Sequence, residues 1–245
     1  MYFLLYKDMM TELEALRQRH SVRKYLDKPI DDATTARLRD KIRELNEESG
    51  LHMQLVVNED KAFRGGIFTY GKFSGVSNYI LVIGKKSASL DYKAGYYGEK
   101  LVIFAQQSGL RTCWVGLTYK KIAGTYSISE GEKVVCCIAI GYGADDGVRH
   151  KMKRKEQISN ISDRTPEWFA DGIEAALLSP SAINQQKFRF EYLEPTLSGG
   201  KGKVKPEKGF SLVGYTGIDL GIAMCDFEIG AGKENFEWYG SPLDS

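Results

Sequence analysis

The chain has 245 residues, 42% of them hydrophobic and 27% charged, enough apolar content for a sizeable core and against disorder. Lys plus Arg (34) against Asp plus Glu (32) leaves +2, too balanced for non-specific binding to nucleic acid or a charged membrane surface. Four cysteines without a C-x-x-C pair, and His20, His52 and His150 far apart, argue against a disulfide scaffold and a zinc-type ligand set. Glycine is in excess, 26 residues or about 11% against a usual ~7%, which points to tight turns or to backbone brought close to a ligand.

The apolar run 1–6 is too short for a signal h-region and has no basic residues before it, and Met9 and Met10 offer alternative starts. No apolar stretch approaches the ~20 residues of a membrane span, so a cytoplasmic protein is expected. Thr11 followed by Glu14 has the form of a capping box, predicting a helix to about Arg19 with Leu13 and Leu16 on one face. A second helix follows Pro29-Ile30-Asp31, carries Leu38, Ile42 and Leu45 at helical spacing, and stops at Gly50. Residues 51–57 read as a strand. Residues 62–77, with Gly65, Gly66, Gly71 and Gly75, read as a loop over a site.

Residues 79–84 form a buried strand, and Ala94, Tyr97, Leu101, Phe104 and Ala105 mark a long central helix ending at Gly109. A short apolar run at 113–116 and a strand at 134–140 follow, with Cys136 and Cys137 pointing to opposite faces. The charged stretch 143–155 is either a solvated linker or a ligand-contacting segment. Thr165-Pro166-Glu167 starts a helix with proline at its first position; Phe169, Ile173, Ala176 and Leu177 form its buried face, and Pro180 ends it. Residues 187–192 alternate charged and aromatic side chains as a strand does. A glycine- and lysine-rich loop at 196–209, a strand at 210–215 and a helix from Gly217 to about Ile229 complete the order.

That order repeats. A shift of 123 places Tyr92 on Tyr215, Gly98 on Gly221, Phe104 on Phe227 and Gly109 on Gly232, and a shift of 131 places Asp40 on Asp171 and Ile42 on Ile173. Helix, strand, glycine loop, strand, helix occurs in both halves, although the second lacks a counterpart of the strand at 134–140. The pattern predicts a degenerate internal duplication, residues 1–155 and 156–245, packed as a pseudo-dimer around one core.

Two short motifs carry the chemistry. Arg19-His20-Ser21-Val22-Arg23 sets two guanidinium groups and a hydroxyl within five residues, a compact anion receptor or simply cations suited to a helix C-terminus. Ser179-Pro180-Ser181-Ala182-Ile183-Asn184-Gln185-Gln186 offers small polar and amide groups to a flat heterocycle, or makes an ordinary helix-to-strand turn.

Together with Asp27-Lys28-Pro29-Ile30, the run Gly109-Leu110-Arg111-Thr112-Cys113-Trp114-Val115-Gly116 and Ile140-Gly141-Tyr142, these motifs resemble the nitroreductase family of FMN flavoproteins. That family opens with R-x-S-x-[RK] after its first helix and has a helix ending in A-P-S-x-x-N-x-Q. The resemblance spans residues 13–232 and implies an α+β fold, with a mixed, largely antiparallel sheet flanked by helices. In ordinary members P-S-x-x-N-x-Q ends the second helix; here that place reads Glu47-Glu48-Ser49-Gly50-Leu51, and the motif stands in the other half. Family homodimers build each FMN site across their interface, so the resemblance implies one FMN per chain in a monomer acting as a pseudo-dimer.

Residue by residue, the resemblance implies that Arg19 pairs with the FMN phosphate, that Ser21 donates to it or to the ribityl chain, and that His20 adds backbone contacts. It places the Arg23 cation near flavin N1 and O2, where reduction leaves negative charge. Pro180, Ser181 and Ala182 would lie along the ring, Asn184 and Gln186 would bond the flavin or ribityl chain, and Val115 and Gly116 would present the backbone edge near N5 and O4. Arg154 falls where the family has a second phosphate-binding arginine. Lys187-Phe188 replaces the usual Pro-Trp, and Tyr70 is the candidate cover of the flavin face. No residue has the look of an obligatory acid or base, as suits a hydride accepted by the cofactor. The implied activity is NAD(P)H-dependent reduction of a nitro compound, quinone or similar small acceptor by a ping-pong cycle. The alternatives are a flavin-binding protein without turnover, or a narrower reductase of unsaturated or halogenated compounds.

Overall fold

Thr11 and Glu14 form the reciprocal cap that starts α1 (Glu12–Gln18): Glu14 N donates to Thr11 Oγ1 at 3.2 Å and Thr11 N to Glu14 Oε2 at 2.8 Å. The computed structural model describes residues 10–64, 72–194 and 201–244; Gly65, Gly66, Tyr70 and Gly71 of the glycine loop lie outside them. Asp31 caps α2 (Asp32–Ser49) through Thr34 N, and Gly50 ends it in the left-handed conformation that glycine adopts without steric cost.

The first sheet has the order β1 (Gln54–Val56), β2 (Tyr79–Lys85), β4 (Glu132–Gly141), β3 (Arg111–Val115), with every pair antiparallel. Its central strands are apolar without alternation because both faces are covered. Ile80, Val82, Cys136 and Ile138 pack on α2 and α3 (Leu90–Gln107), while Leu81, Ile83, Cys137 and Ala139 pack on Val22 and Tyr25. The two adjacent cysteines thus face opposite ways. β1 is shorter than expected, since the Asn46 side chain takes both main-chain groups of Met53, accepting from its N at 2.8 Å and donating to its O at 3.0 Å.

In the second half, α4 (Lys155–Ile158) and α5 (Glu167–Ala176) precede the sheet β5 (Phe188–Leu193), β6 (Gly202–Lys208), β7 (Phe236–Trp238), with α6 (Thr216–Ala231) between β6 and β7. Pro166 is the N-cap of α5 rather than its first residue, and the helix closes at Ala176, before Pro180. The expected loop 196–209 contains a strand, and the expected strand 210–215 is not one: Phe210 and Leu212 are 83% and 93% exposed. Lysines hid the alternation, because Gly202, Val204 and Pro206 turn inward between Lys203, Lys205 and Glu207. Pro206 is tolerated because β7 pairs only with residues 202–204, so β6 is an edge strand at that point. A core of Phe169, Ile173, Phe190, Phe227 and Phe236 fills the space between this sheet, α5 and α6.

The halves meet where α3 crosses α6. A Cβ on Gly95 would stand 2.1 Å from Ile218 O and 2.9 Å from Ile222 N; on Gly221 it would stand 2.1 Å from Tyr92 O and 2.8 Å from Tyr96 N. The contact is reciprocal at one offset: 221 − 95, 218 − 92 and 222 − 96 all equal 126. β6 begins and ends 123 residues after β2 (202 − 79 and 208 − 85), but α6 begins 126 residues after α3 (216 − 90). The connection into α6 (209–215) is three residues longer than that into α3 (86–89), which accounts for the change. Tyr92 and Tyr215 are therefore not equivalents: Tyr215 is the N-cap of α6, whereas Tyr92 lies inside α3.

Candidate functional site

Residues 19–23 leave α1 and run beside β3. Ser21 makes a parallel bridge to Thr112, and Val22 N donates to Thr112 O at 3.0 Å. The Arg19 side chain turns inward: Nη2 donates to Leu178 O at 3.1 Å, and Nε lies 3.6 Å from Glu99 Oε1, with the two side chains 3% and 0% exposed. That bond joins the first motif to the second, one residue ahead of Ser179. His20 Nδ1 is 3.2 Å from Asp146 O, and Arg23 is exposed, its carbonyl accepting from Ser74 N at 3.0 Å.

Residues 179–186 lie on α6 and are held from beneath by two aspartates seven residues apart, hence on one helix face. Asp226 Oδ2 accepts from Ser179 Oγ at 2.6 Å; Asp219 Oδ1 accepts from Ala182 N at 2.9 Å and its Oδ2 from Gln185 Nε2 at 2.7 Å. Pro180 is buried, and Ser181 Oγ accepts from Gln186 N at 3.0 Å. Ile183, Asn184 and Gln186 have φ of 47°, 58° and 45°. Left-handed backbone at three non-glycine residues is strained, and the surrounding hydrogen bonds hold it.

Burial outweighs these donors at Asp219, whose carboxyl is pushed up to about 6. In the unfolded chain it ionises near pH ~4, so the stability present below that pH is lost as pH rises through about 6, roughly 3 kcal/mol in all. Asp219→Asn should flatten the unfolding free energy between about pH 4 and 6, as measured by urea titration at each pH. Parallel wild-type and variant curves would show that Asp219 is not the group responsible.

Most side chains of the stretch 143–155 face solvent, yet both motifs fasten its main chain. Asn184 Nδ2 and Gln186 Nε2 donate to Lys151 O at 2.8 and 2.9 Å, and Lys153 N donates to Gln186 Oε1 at 2.9 Å. His150 Nε2 sits 3.1 Å from Leu177 O, so that nitrogen carries the proton. Burial lowers the His150 pKa, and the charges of Arg19, Arg149 and His20 lower it further. Arg154 stands exposed at the start of α4.

Val115 is buried in β3 opposite Cys137, and Gly116 leaves the sheet beneath Tyr215: a Cβ there would be 2.7 Å from Tyr215 Cζ. Trp114 Nε1 donates to Glu99 Oε2 at 2.7 Å, its ring filling the space left by Gly98. The structure therefore brings 19–21, 114–116, 150–153 and 179–186 into one continuous network. Sequence reasoning missed Glu99, Asp219, Asp226, Arg149, His150 and Tyr215. A signal existed for the aspartates: α6 is apolar around almost its whole circumference, so carboxylates within it are buried and need partners.

An α+β chain with largely antiparallel sheets flanked by helices has a nitroreductase-like fold. The family model described as "Putative TM nitroreductase" matches residues 12–231, and the chain belongs to that family. Among solved structures, a protein of Thermotoga maritima described as a "putative nitroreductase" superposes with a TM-score of 0.62 at 21% identity, covering 96% of this chain and 93% of that one. A "putative nitroreductase" of Desulfovibrio desulfuricans, solved in complex with FMN, gives 0.47 at 20% identity over 63% of this chain and 98% of its own. An FMN-dependent nitroreductase of Clostridium difficile gives 0.43 at 17% identity over 59% and 92%. No curated protein sequence matches the chain. No helix among the described residues is long and apolar enough to cross a membrane.

Proposed function

We propose that the chain is an FMN-dependent oxidoreductase in which NAD(P)H reduces the flavin and a small acceptor such as a nitro compound or quinone reoxidises it. The observation that carries this reading is the Arg19–Leu178 bond, 3.1 Å, which ties the first family motif to the residue preceding the second across 159 residues of chain. The residues fit the cofactor: a phosphate suits the corner where Arg19, His20 and Arg149 bear on His150, and the turn 181–186 offers polar groups beside it. Arg19, His20 and Ser21 would hold the phosphate end, Arg23 would set a cation beside the pyrimidine edge, and the Val115–Gly116 backbone would orient the other edge. Bound FMN supplies two-electron transfer, and the protein contributes binding, orientation and electrostatics.

One site per chain is part of the proposal, as is an origin in duplication. At the offset of 126, Asp226 corresponds to Lys100, and at 131, Ser179 corresponds to Glu48. Lys100 Nζ lies 3.3 Å from Glu48 Oε1, so an ion pair stands where the second half has its Ser179–Asp226 bond. The protein then acts as a monomer with pseudo-two-fold symmetry, in the cytoplasm, without nucleic acid or membrane partners.

The test is the visible spectrum of the purified protein with its released cofactor identified. About one FMN per chain is the stoichiometry a shared site requires. Two per chain would refute the shared site, and a colourless protein that takes up no added FMN would refute the flavin reading. Arg23→Ala should lower the flavin midpoint potential more than it lowers affinity; an unchanged potential tells against a cation at the pyrimidine edge. A flavin-binding protein without turnover is the second reading, favoured by the Tyr215 ring lying over Gly116. Failure of NADH and NADPH to bleach the bound flavin would support it.

A further inference from the structure

Three segments of the site converge on two buried carboxyl groups that the proposed chemistry does not use. Glu99, on α3, receives Trp114 Nε1 from β3 at 2.7 Å and faces Arg19 Nε from the end of α1 at 3.6 Å. Asp226, on α6, receives Ser179 Oγ from the second motif at 2.6 Å. Both residues are fully buried, and Glu99 Oε1, Asp226 Oδ1 and Arg19 Nε have no hydrogen-bond partner. Two acids and one guanidinium are therefore buried together, and the charge of Glu99 disfavours ionisation of Asp226.

We propose that Glu99 and Asp226 hold one proton between them and that this proton governs how much of the Arg19 charge is available to a phosphate at the site. They are positioning residues that act through Arg19 and Ser179. The inference rests on the phosphate reading of the first motif.

With the proton present, one acid remains ionised and balances Arg19, and the cluster is neutral. With it lost, the cluster carries a net negative charge and opposes an incoming dianion. Burial raises the pKa of both acids; for Asp226 the charge of Glu99 raises it further, while Ser179 and Arg19 pull it down. The groups facing the pair are Arg19 from α1, Trp114 from β3, Ser179 from the second motif and Cys225 on α6 itself. The thiol of Cys225 is held protonated by burial, and the charge of Arg19 also lowers the pKa of His150. A phosphate monoester is already mostly dianionic above pH ~7, so any dependence between pH 7 and 9 belongs to the protein.

The test compares FMN with riboflavin, which lacks the phosphate, on the full-length protein from about pH 7 to 9. The FMN preference of the wild type should fall with rising pH, approaching tenfold per pH unit once the shared proton is lost, the limit for one linked proton. Asp226→Asn keeps an acceptor for Ser179 and leaves one negative charge at every pH, so it should hold the low-pH preference throughout. If that variant does not fold, calorimetry of the wild type in two buffers of different ionisation enthalpy replaces it. Proton uptake on binding FMN but not riboflavin supports the proposal, and equal uptake overturns it. A large preference that is flat with pH, or that slopes equally in Asp226→Asn, overturns this inference and leaves the phosphate site standing. Equal affinity for FMN and riboflavin at pH 7 overturns both.

Discussion

Arg19→Ala is expected to damage the protein twice, in its fold and in its ligand affinity. The guanidinium faces Glu99 across the α1–α3 contact, at 3.6 Å with both side chains buried. Removing one partner of a buried pair costs about 3–5 kcal/mol, because the remaining charge is left uncompensated or must be neutralised. The Leu178 carbonyl also loses its donor. Urea denaturation should show the loss, and Arg19→Ala/Glu99→Gln should recover much of it, since the double variant leaves no unpaired carboxylate at position 99. Failure of the second substitution to rescue would mean the pair is not the source. On the proposed function, Arg19→Ala should also weaken FMN binding by about 1.5–3 kcal/mol, the worth of a charge-assisted contact. Riboflavin binding should change less.

The α3–α6 crossing gives the second large effect. At Gly95 and at Gly221 the obstacle to a side chain is a main-chain oxygen 2.1 Å from the Cβ position, and no rotamer change relieves that. The helices would have to separate. Overpacking of this kind costs typically about 1–3 kcal/mol, while alanine's helix preference over glycine returns up to about 1 kcal/mol. Gly95→Ala and Gly221→Ala should each lower stability, and by similar amounts because the contact is reciprocal. The double variant should cost less than the sum, since the first substitution already opens the crossing. An alanine variant as stable as the wild type would show that the crossing is looser than the structure has it.

Much of the fold was legible because local signals agreed with tertiary burial. The cap at Thr11, the left-handed stop at Gly50, and the apolar runs of β2 and β4 depend on neighbours within a few residues. The second sheet was misread where that agreement failed. In β6, lysines occupy the outward positions and glycine and proline part of the inward face, so composition suggested a loop; in 210–215, apolar side chains suggested a strand yet stand in solvent. A strand of that composition exists because β5 pairs along its whole length and β7 along its first residues.

By itself, the sequence determined the class of fold, the family and the two motif segments, because helix caps, apolar periods and short motifs are written in contiguous residues. It also suggested the repeat, at shifts of 123 and 131, whereas α6 follows α3 at 126. Only the tertiary structure decided that Arg19 points inward to Glu99, that Asp219 and Asp226 brace the 179–186 turn, and that 143–155 is pinned between the motifs. Those contacts join residues distant in the chain through hydrogen bonds and buried charge. Such partners are selected by the low dielectric and close packing of the interior, where an unpaired group is costly, and local sequence does not specify which distant residue will meet that need.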